Sequence, residues 1–163
     1  MNVTIIYADF YDSNHAKDLV MLLNAYALDP MGGGKGLSDY TKKNLIKTLA
    51  KRQDILTLLA YVDGKPAGFL NCIEGFSTFQ CKPLLNIHDC GVLIHYRRLG
   101  LSQQLIIEAE RISRERGYCK LTLEVLEGNI VAQNAYRKLG FSGYELDAKT
   151  GKAMFWEKVL VTN

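Results

Sequence analysis

What this 163-residue chain lacks narrows it first. No run of one charge dominates: the net charge is +3, too slight to argue for a nucleic-acid partner, which asks for a concentrated basic face. The four cysteines, Cys72, Cys81, Cys90 and Cys119, contain no CxxC pair, and His15, His88 and His95 are scattered, so no metal-ligand spacing is present. A chain of this length buries about 70% of its unfolded surface and needs no disulfides, so reduced thiols are expected. The longest nearly unbroken apolar run, Ile55 to Val62, is too short to cross a bilayer. Met1 to Tyr7 already reads as a strand, with no basic leader before it. These absences describe a single cytoplasmic domain over residues 1–163, a monomer or homodimer with no metal, nucleic-acid or membrane partner.

What is there centres on Arg97-Arg98-Leu99-Gly100-Leu101-Ser102. An apolar run, Leu84 to Val92, precedes it as a strand, broken by the polar residues Asn86, His88 and Asp89. After it Leu101, Leu105, Ala109 and Ile112 recur at the period of one helix face, opposite Gln104, Glu108, Arg111 and Glu115. Gly117 stands where a helix C-cap glycine belongs. Arg97 to Ser102 is thus a strand-to-helix loop that turns free N–H groups and the positive end of the helix dipole toward one spot. A phosphate fits there: Gly100 permits close backbone approach, Ser102 is of N-cap type, and the arginines add charge. The alternative is an ordinary turn with solvated arginines. A second helix pattern runs from Asn129 through Ala132, Ala135, Tyr136 and Leu139 to Gly140. Asn129, Ala132 and Tyr136 share a stripe about 10 Å long, suited to a thin ligand arm ending at the Tyr136 hydroxyl.

These two stretches resemble the GCN5-related N-acetyltransferase (GNAT) family. Its Gln/Arg-x-x-Gly-x-Gly/Ala motif is matched by Arg97 and Gly100, with Ser102 as a departure. Its Leu-x-x-x-Asn-x-x-Ala-x-x-x-Tyr-x-x-x-Gly-Phe segment is matched by Asn129, Ala132, Tyr136, Gly140 and Phe141, with Val125 in the leucine place. The likeness is strong over residues 84–142. It implies an α/β fold with a mixed central sheet of six to seven strands and helices on both faces. It implies acetyl-CoA as cosubstrate, a primary amine on a small molecule or peptide as acceptor, and no metal. The backbone of Cys90 and Val92 would hold the pantetheine arm, in a gap splayed between their strand and Lys120 to Val125. Arg97, Arg98, Leu99, Gly100, Leu101 and Ser102 would hold the pyrophosphate, and Asn129, Ala132 and Tyr136 the remainder.

The reaction asks for a base, since an alkyl ammonium has a pKa of about 10.4, and for an acid at the leaving thiolate. Tyr136 is the candidate acid, with a core tyrosine as the competing explanation. Glu124 leads as base because it alternates away from Leu121, Leu123 and Val125. Asp89 and His88 compete as base or acceptor anchors. A catalytically silent acetyl-CoA-binding module remains the second reading. A dinucleotide enzyme does not fit, since Arg98 to Gln103 contains one glycine where Gly-x-Gly-x-x-Gly is needed.

The rest of the chain reads in order. Val3 to Tyr7 is a strand, Ala16 to Ala27 a helix, and Asp29 to Gly36 a glycine-rich lip beside the acceptor or a plain connection. The lip resembles a P-loop only superficially, because the motif's first glycine is missing and Gly36 stands in place of its Ser/Thr. Ser38 caps a helix to Lys51. Ile55 to Val62 and Ala67 to Glu74 form a hairpin through Asp63-Gly64. Gly143 to Leu146 and Ala153 to Leu160 form a closing hairpin.

Overall fold

Asp63 and Gly64 both take positive φ, 48° and 76°, in the computed structural model of the chain, which describes residues 1–160. That is the backbone of a type I′ turn, whose twist matches the strands it joins. It links β2 (Ile55–Val62) to β3 (Lys65–Ser77) in antiparallel register, with Leu59 opposite Phe69 and Thr57 opposite Asn71. β1 (Val3–Tyr7) adds on the other side of β2, and β4 (Lys82–Val92) on the far side of β3. β5 (Leu121–Leu123) lies parallel to β4, giving the order β1-β2-β3-β4-β5 and a mixed sheet. β3 and β4 extend further than the apolar pattern indicated, to Ser77 and from Lys82, because backbone pairing continues after the core side chains have ended.

The described residues also form α1 (Ser13–Leu28), α2 (Asp39–Leu49), α3 (Leu101–Glu115) and α4 (Ile130–Lys138). Asp12 caps α1 and Ser38 caps α2, each accepting from backbone N–H groups of the first turn. α1 buries Leu19 and Leu22 against Leu59 and Phe69. Leu101 of α3 packs on Val62 and Ala67. Leu59 and Val62 are three apart on one strand and so face opposite sides, which puts α1 and α3 on opposite faces. α3 turns its polar face outward, where Arg111 is salt-bridged to Glu108 and Glu115. It ends as the glycine indicated: Gly117 has φ 71°, its N–H donates to Arg114 O, and that of Tyr118 donates to Ser113 O, the paired bonds of a Schellman motif.

The chain separates into two compact units, Met1–Leu126 and a second that starts at Glu127. All five strands, α1, α2 and α3 belong to the first. The second contains α4 and a turn built on Asp147, whose carboxylate accepts from the N–H groups of Lys149 and Thr150. Here the structure corrects the expected closing hairpin. In this unit Glu145 and Lys152 form an isolated antiparallel bridge and its described residues add no strand to the sheet, so five strands stand in place of six or seven. The physical reason lies in the flanking side chains. Tyr144, Leu146, Phe155 and Trp156 are exposed, and a two-stranded ribbon without a buried face gains little from pairing.

Candidate active site

β4 sets up the site by what it pairs with and where that pairing stops. Its contact with β5 covers three residues, Leu85 to Ile87 against Leu121 to Leu123. From Asp89 to Val92 its strand partner among the described residues is β3, since β5 ends at Leu123. In the same stretch the β3 register slips, Asn71 facing Asp89 and Cys72 facing Ile87. His88 is therefore the extra residue of a bulge, a device that re-aims side chains beside sites. His88 is exposed and Asp89 half-buried. Burial pushes the Cys90 thiol up to about 12, so that side chain stays neutral. Among the backbone groups expected to hold a ligand arm, the Val92 carbonyl already accepts from Arg97 Nε at 3.2 Å.

The loop after β4 makes a 3₁₀ turn at Ile94–Tyr96 and enters α3 through Arg98 and Gly100, at φ 66° and 74°. Gly100, not Ser102, is the N-cap, and no side chain caps the first turn. Ser102 is the second residue of the helix. The α3 N-terminus thus keeps the unpaired donors and positive dipole end that an anion requires. Arg97 points elsewhere: its guanidinium meets Asp29 at 2.6 Å and holds that carboxyl below the usual carboxylate range.

That ion pair ties the loop to the segment after α1, which is more ordered than a flexible lip. Asp29 accepts from Met31 N, Lys35 N donates to Ala27 O, and Leu37 N donates to Asn24 Oδ1. Gly32 passes so close to the end of α1 that a Cβ would stand 1.9 Å from Tyr26 O. Between α1 and the end of β4 lies a cavity of about 390 Å³ whose walls include Tyr26, Asp29, Gly91, Ile94, His95 and Arg97. Gly91 makes room for its lining, since a Cβ there would lie 2.5 Å from the Phe69 ring and 3.1 Å from Tyr26. Tyr26 crosses Phe69 edge-on. Burial, followed by the negative charges of Asp89 and Asp29, raises its phenol pKa.

Glu124 sits differently from its expected place on a strand reaching Val125. β5 ends at Leu123, and Glu124 is exposed just beyond it, with Asn86 Nδ2 3.4 Å from both carboxylate oxygens. In the second unit Asn129 is the N-cap of α4, its side-chain oxygen accepting from Ala132 N at 3.2 Å. Tyr136 is half-buried, its ring 6.0 Å from that of Phe141. Gly140, at φ 87°, and Phe141 donate to Arg137 O and Tyr136 O, a second Schellman motif with its hydrophobic contact in place. The Tyr-x-x-x-Gly-Phe spacing is therefore also a helix-ending device. Two residues escaped the sequence reading, Thr57 and Asn71. Both are buried in β2 and β3, and a polar residue inside each apolar run was the signal for them.

The mixed five-stranded sheet with its helices is an α/β fold of the kind that solved acetyltransferases share. The chain matches the acetyltransferase (GNAT) family over residues 19–141, a span that crosses both units, and it belongs to that family. A protein of Archaeoglobus fulgidus named "Uncharacterized N-acetyltransferase" is 31% identical over 109 residues, covering 63% of this chain and 74% of that one. The streptothricin acetyltransferase of Streptomyces lavendulae is 36% identical over 86 residues, 53% of this chain and 43% of that one. Among solved structures, an aminoglycoside acetyltransferase from an uncultured soil metagenomic sample, in complex with trehalose, shares the fold at a TM-score of 0.76 and 19% identity, over 96% of each chain. AAC(6')-Iy, in complex with the bisubstrate analogue CoA-S-monomethyl-acetylneamine, does so at 0.75 and 18%, over 98% of this chain and 100% of that one. No helix among the described residues is long and apolar enough to cross a membrane.

Proposed function

We propose that this chain moves the acetyl group of acetyl-CoA to a primary amine of a small molecule. The observation that carries the reading is the N-terminus of α3, left without a side-chain cap behind two left-handed residues. Its free N–H groups suit a pyrophosphate, and the open edge of β4 from His88 to Val92 suits an amide-bearing arm. The cosubstrate supplies an activated thioester. Leu101, Ser102 and the Gly100 backbone would bind its phosphates, with Arg98 adding charge, and the chain from Cys90 to Val92 would hold its arm. Asp89 or Glu124 takes a proton from the acceptor ammonium. Tyr136 returns one to the departing sulfur, a phenol of pKa about 10 meeting a thiolate near 8.5. The names of relatives, a streptothricin acetyltransferase and an aminoglycoside acetyltransferase, favour a cationic amine acceptor.

The silent binding module keeps one argument, that Asn129 and Tyr136 each have a structural task in α4. Thiol release from acetyl-CoA, followed against amino acids, polyamines, aminoglycosides and peptide N-termini, separates the two. Acetyl-dependent thiol release with at least one amine supports the enzyme. Tight acetyl-CoA binding with none supports the module.

A further inference from the structure

Three polar residues share one row across the centre of the sheet. Thr57 on β2 faces Asn71 on β3, which faces Asp89 on β4. Thr57 and Asn71 are 3% and 8% exposed, among strands whose neighbours are Leu56, Leu58, Leu70 and Cys72. Thr57 Oγ1 donates to Asn71 Oδ1 at 2.8 Å, and Asn71 Nδ2 donates to Asp89 Oδ2 at 3.2 Å. The direction is dictated by chemistry. An ionised carboxylate only accepts, so the amide nitrogen must face Asp89, and the amide oxygen must then take the threonine proton. Stability alone does not require the pair, since replacing both partners of a buried hydrogen bond by apolar groups of the same shape can be nearly neutral or stabilising.

What the chain of bonds does is hold one oxygen of Asp89. The other, Oδ1, carries no hydrogen bond among the described residues, and Asp89 has no salt bridge there. Asp29, by contrast, is occupied by Arg97, and Glu124 is exposed. Asp89 stands at the bulge, in the part of β4 without a β5 neighbour. It is two residues before Gly91, which lines the cavity beside Tyr26. We infer that Thr57 and Asn71 are positioning residues, which fix the Asp89 carboxylate so that its free oxygen meets the acceptor ammonium and takes its proton. This rests on the acetyltransferase reading and selects Asp89 over Glu124. One proton passes from the ammonium nitrogen to Asp89 Oδ1, and the freed lone pair forms the N–C bond as the C–S bond breaks. The departing sulfur takes a proton from the Tyr136 hydroxyl, and the second proton of the new amide nitrogen leaves through water, which restores the phenol.

The test compares Asn71→Leu, the double variant T57V/N71L, Thr57→Ser and Asp89→Asn. The probe is the best amine of the thiol-release panel, and each variant is followed by melting temperature and by a crystal structure. The double variant leaves no unsatisfied amide or hydroxyl, so it should melt close to the wild type. Its kcat/KM for the amine should fall by roughly 10- to 100-fold, the scale of a misplaced reacting group, with KM for acetyl-CoA unchanged and the Asp89 side chain turned from its place. Thr57→Ser keeps the hydroxyl and should retain activity. A double variant with wild-type kcat/KM, or with Asp89 unmoved, overturns the positioning role. If Asp89→Asn is impaired while the double variant is not, the base assignment survives and only the positioning fails. Should Asp89→Asn keep full activity, the choice of Asp89 falls and the positioning with it.

Discussion

At the scale of residues, the proposed acid Tyr136 and the ion-paired Asp29 each give a prediction. Tyr136→Phe removes one oxygen and keeps the ring on Phe141, so α4 and its cap should survive. A general acid contributes typically about 10² to 10⁴-fold, so kcat should fall by that order while acetyl-CoA affinity by calorimetry stays near the wild type. An unchanged kcat with chemistry rate-limiting would return Tyr136 to a packing role. Asp29 gives a pH prediction with a definite sign. Arg97 holds its carboxyl below the unfolded value of about 3.9. The pair's contribution is therefore present above that pH and is lost as pH falls through the folded value. With Arg97 half exposed, the contribution is about 0–1 kcal/mol. Asp29→Asn should be less stable than the wild type at pH 7 by that amount, and the two melting curves should converge below about pH 4. A gap that widens in acid would contradict the pairing.

At the scale of elements, the ends of helices matter more than their middles. Gly100→Asp tests binding against fold. A negative side chain at the start of α3 complements the dipole, which offsets part of the strain that any side chain meets at φ 74°. The same charge faces the proposed pyrophosphate, so acetyl-CoA affinity should drop steeply. Equal affinity in calorimetry would remove the loop from the site. Gly140→Ala should cost on the order of 1–2 kcal/mol, because φ 87° places an L side chain in the left-handed region. The loss would show in amide exchange of α4 before it shows elsewhere. The reading of these ends from sequence was uneven for a physical reason. Gly117 and Gly140 were legible because positive φ leaves few choices of residue. The cap of α3 was not, since Ser102 has the chemistry of an N-cap and only the backbone shows that Gly100 occupies that position.

At the scale of the whole molecule, a ligand that binds only the folded chain raises its stability by mass action. At a hundredfold excess over Kd the gain is about 2.7 kcal/mol. Acetyl-CoA should therefore raise the melting temperature in proportion to the logarithm of its concentration, and free acetate should not. Core packing gives a second check. Gly91→Ala drives a methyl into Phe69 and Tyr26, which line the α1 face. It should cost about 1–3 kcal/mol, the usual penalty of overpacking, and alter the cavity that Tyr26 and Gly91 line.

Periodicity and glycine placement, read from the sequence by itself, determined α1, α2, α3, α4 and the β2–β3 turn, while two spaced motifs pointed to the family and, through it, to a mixed sheet. Each of those features depends on neighbours a few residues away, or on motifs with fixed spacing. Three-dimensional pairing decided the rest. Whether the stretch after Lys120 is three residues of strand or six depends on where β4 and β5 part. Whether Arg97 is free depends on Asp29, 68 positions earlier. The row of Thr57, Asn71 and Asp89 exists only because registers on three strands, one of them bulged, bring distant residues face to face. A sequence lists such polar residues one by one. Only the sheet's register determines which of them share a hydrogen bond.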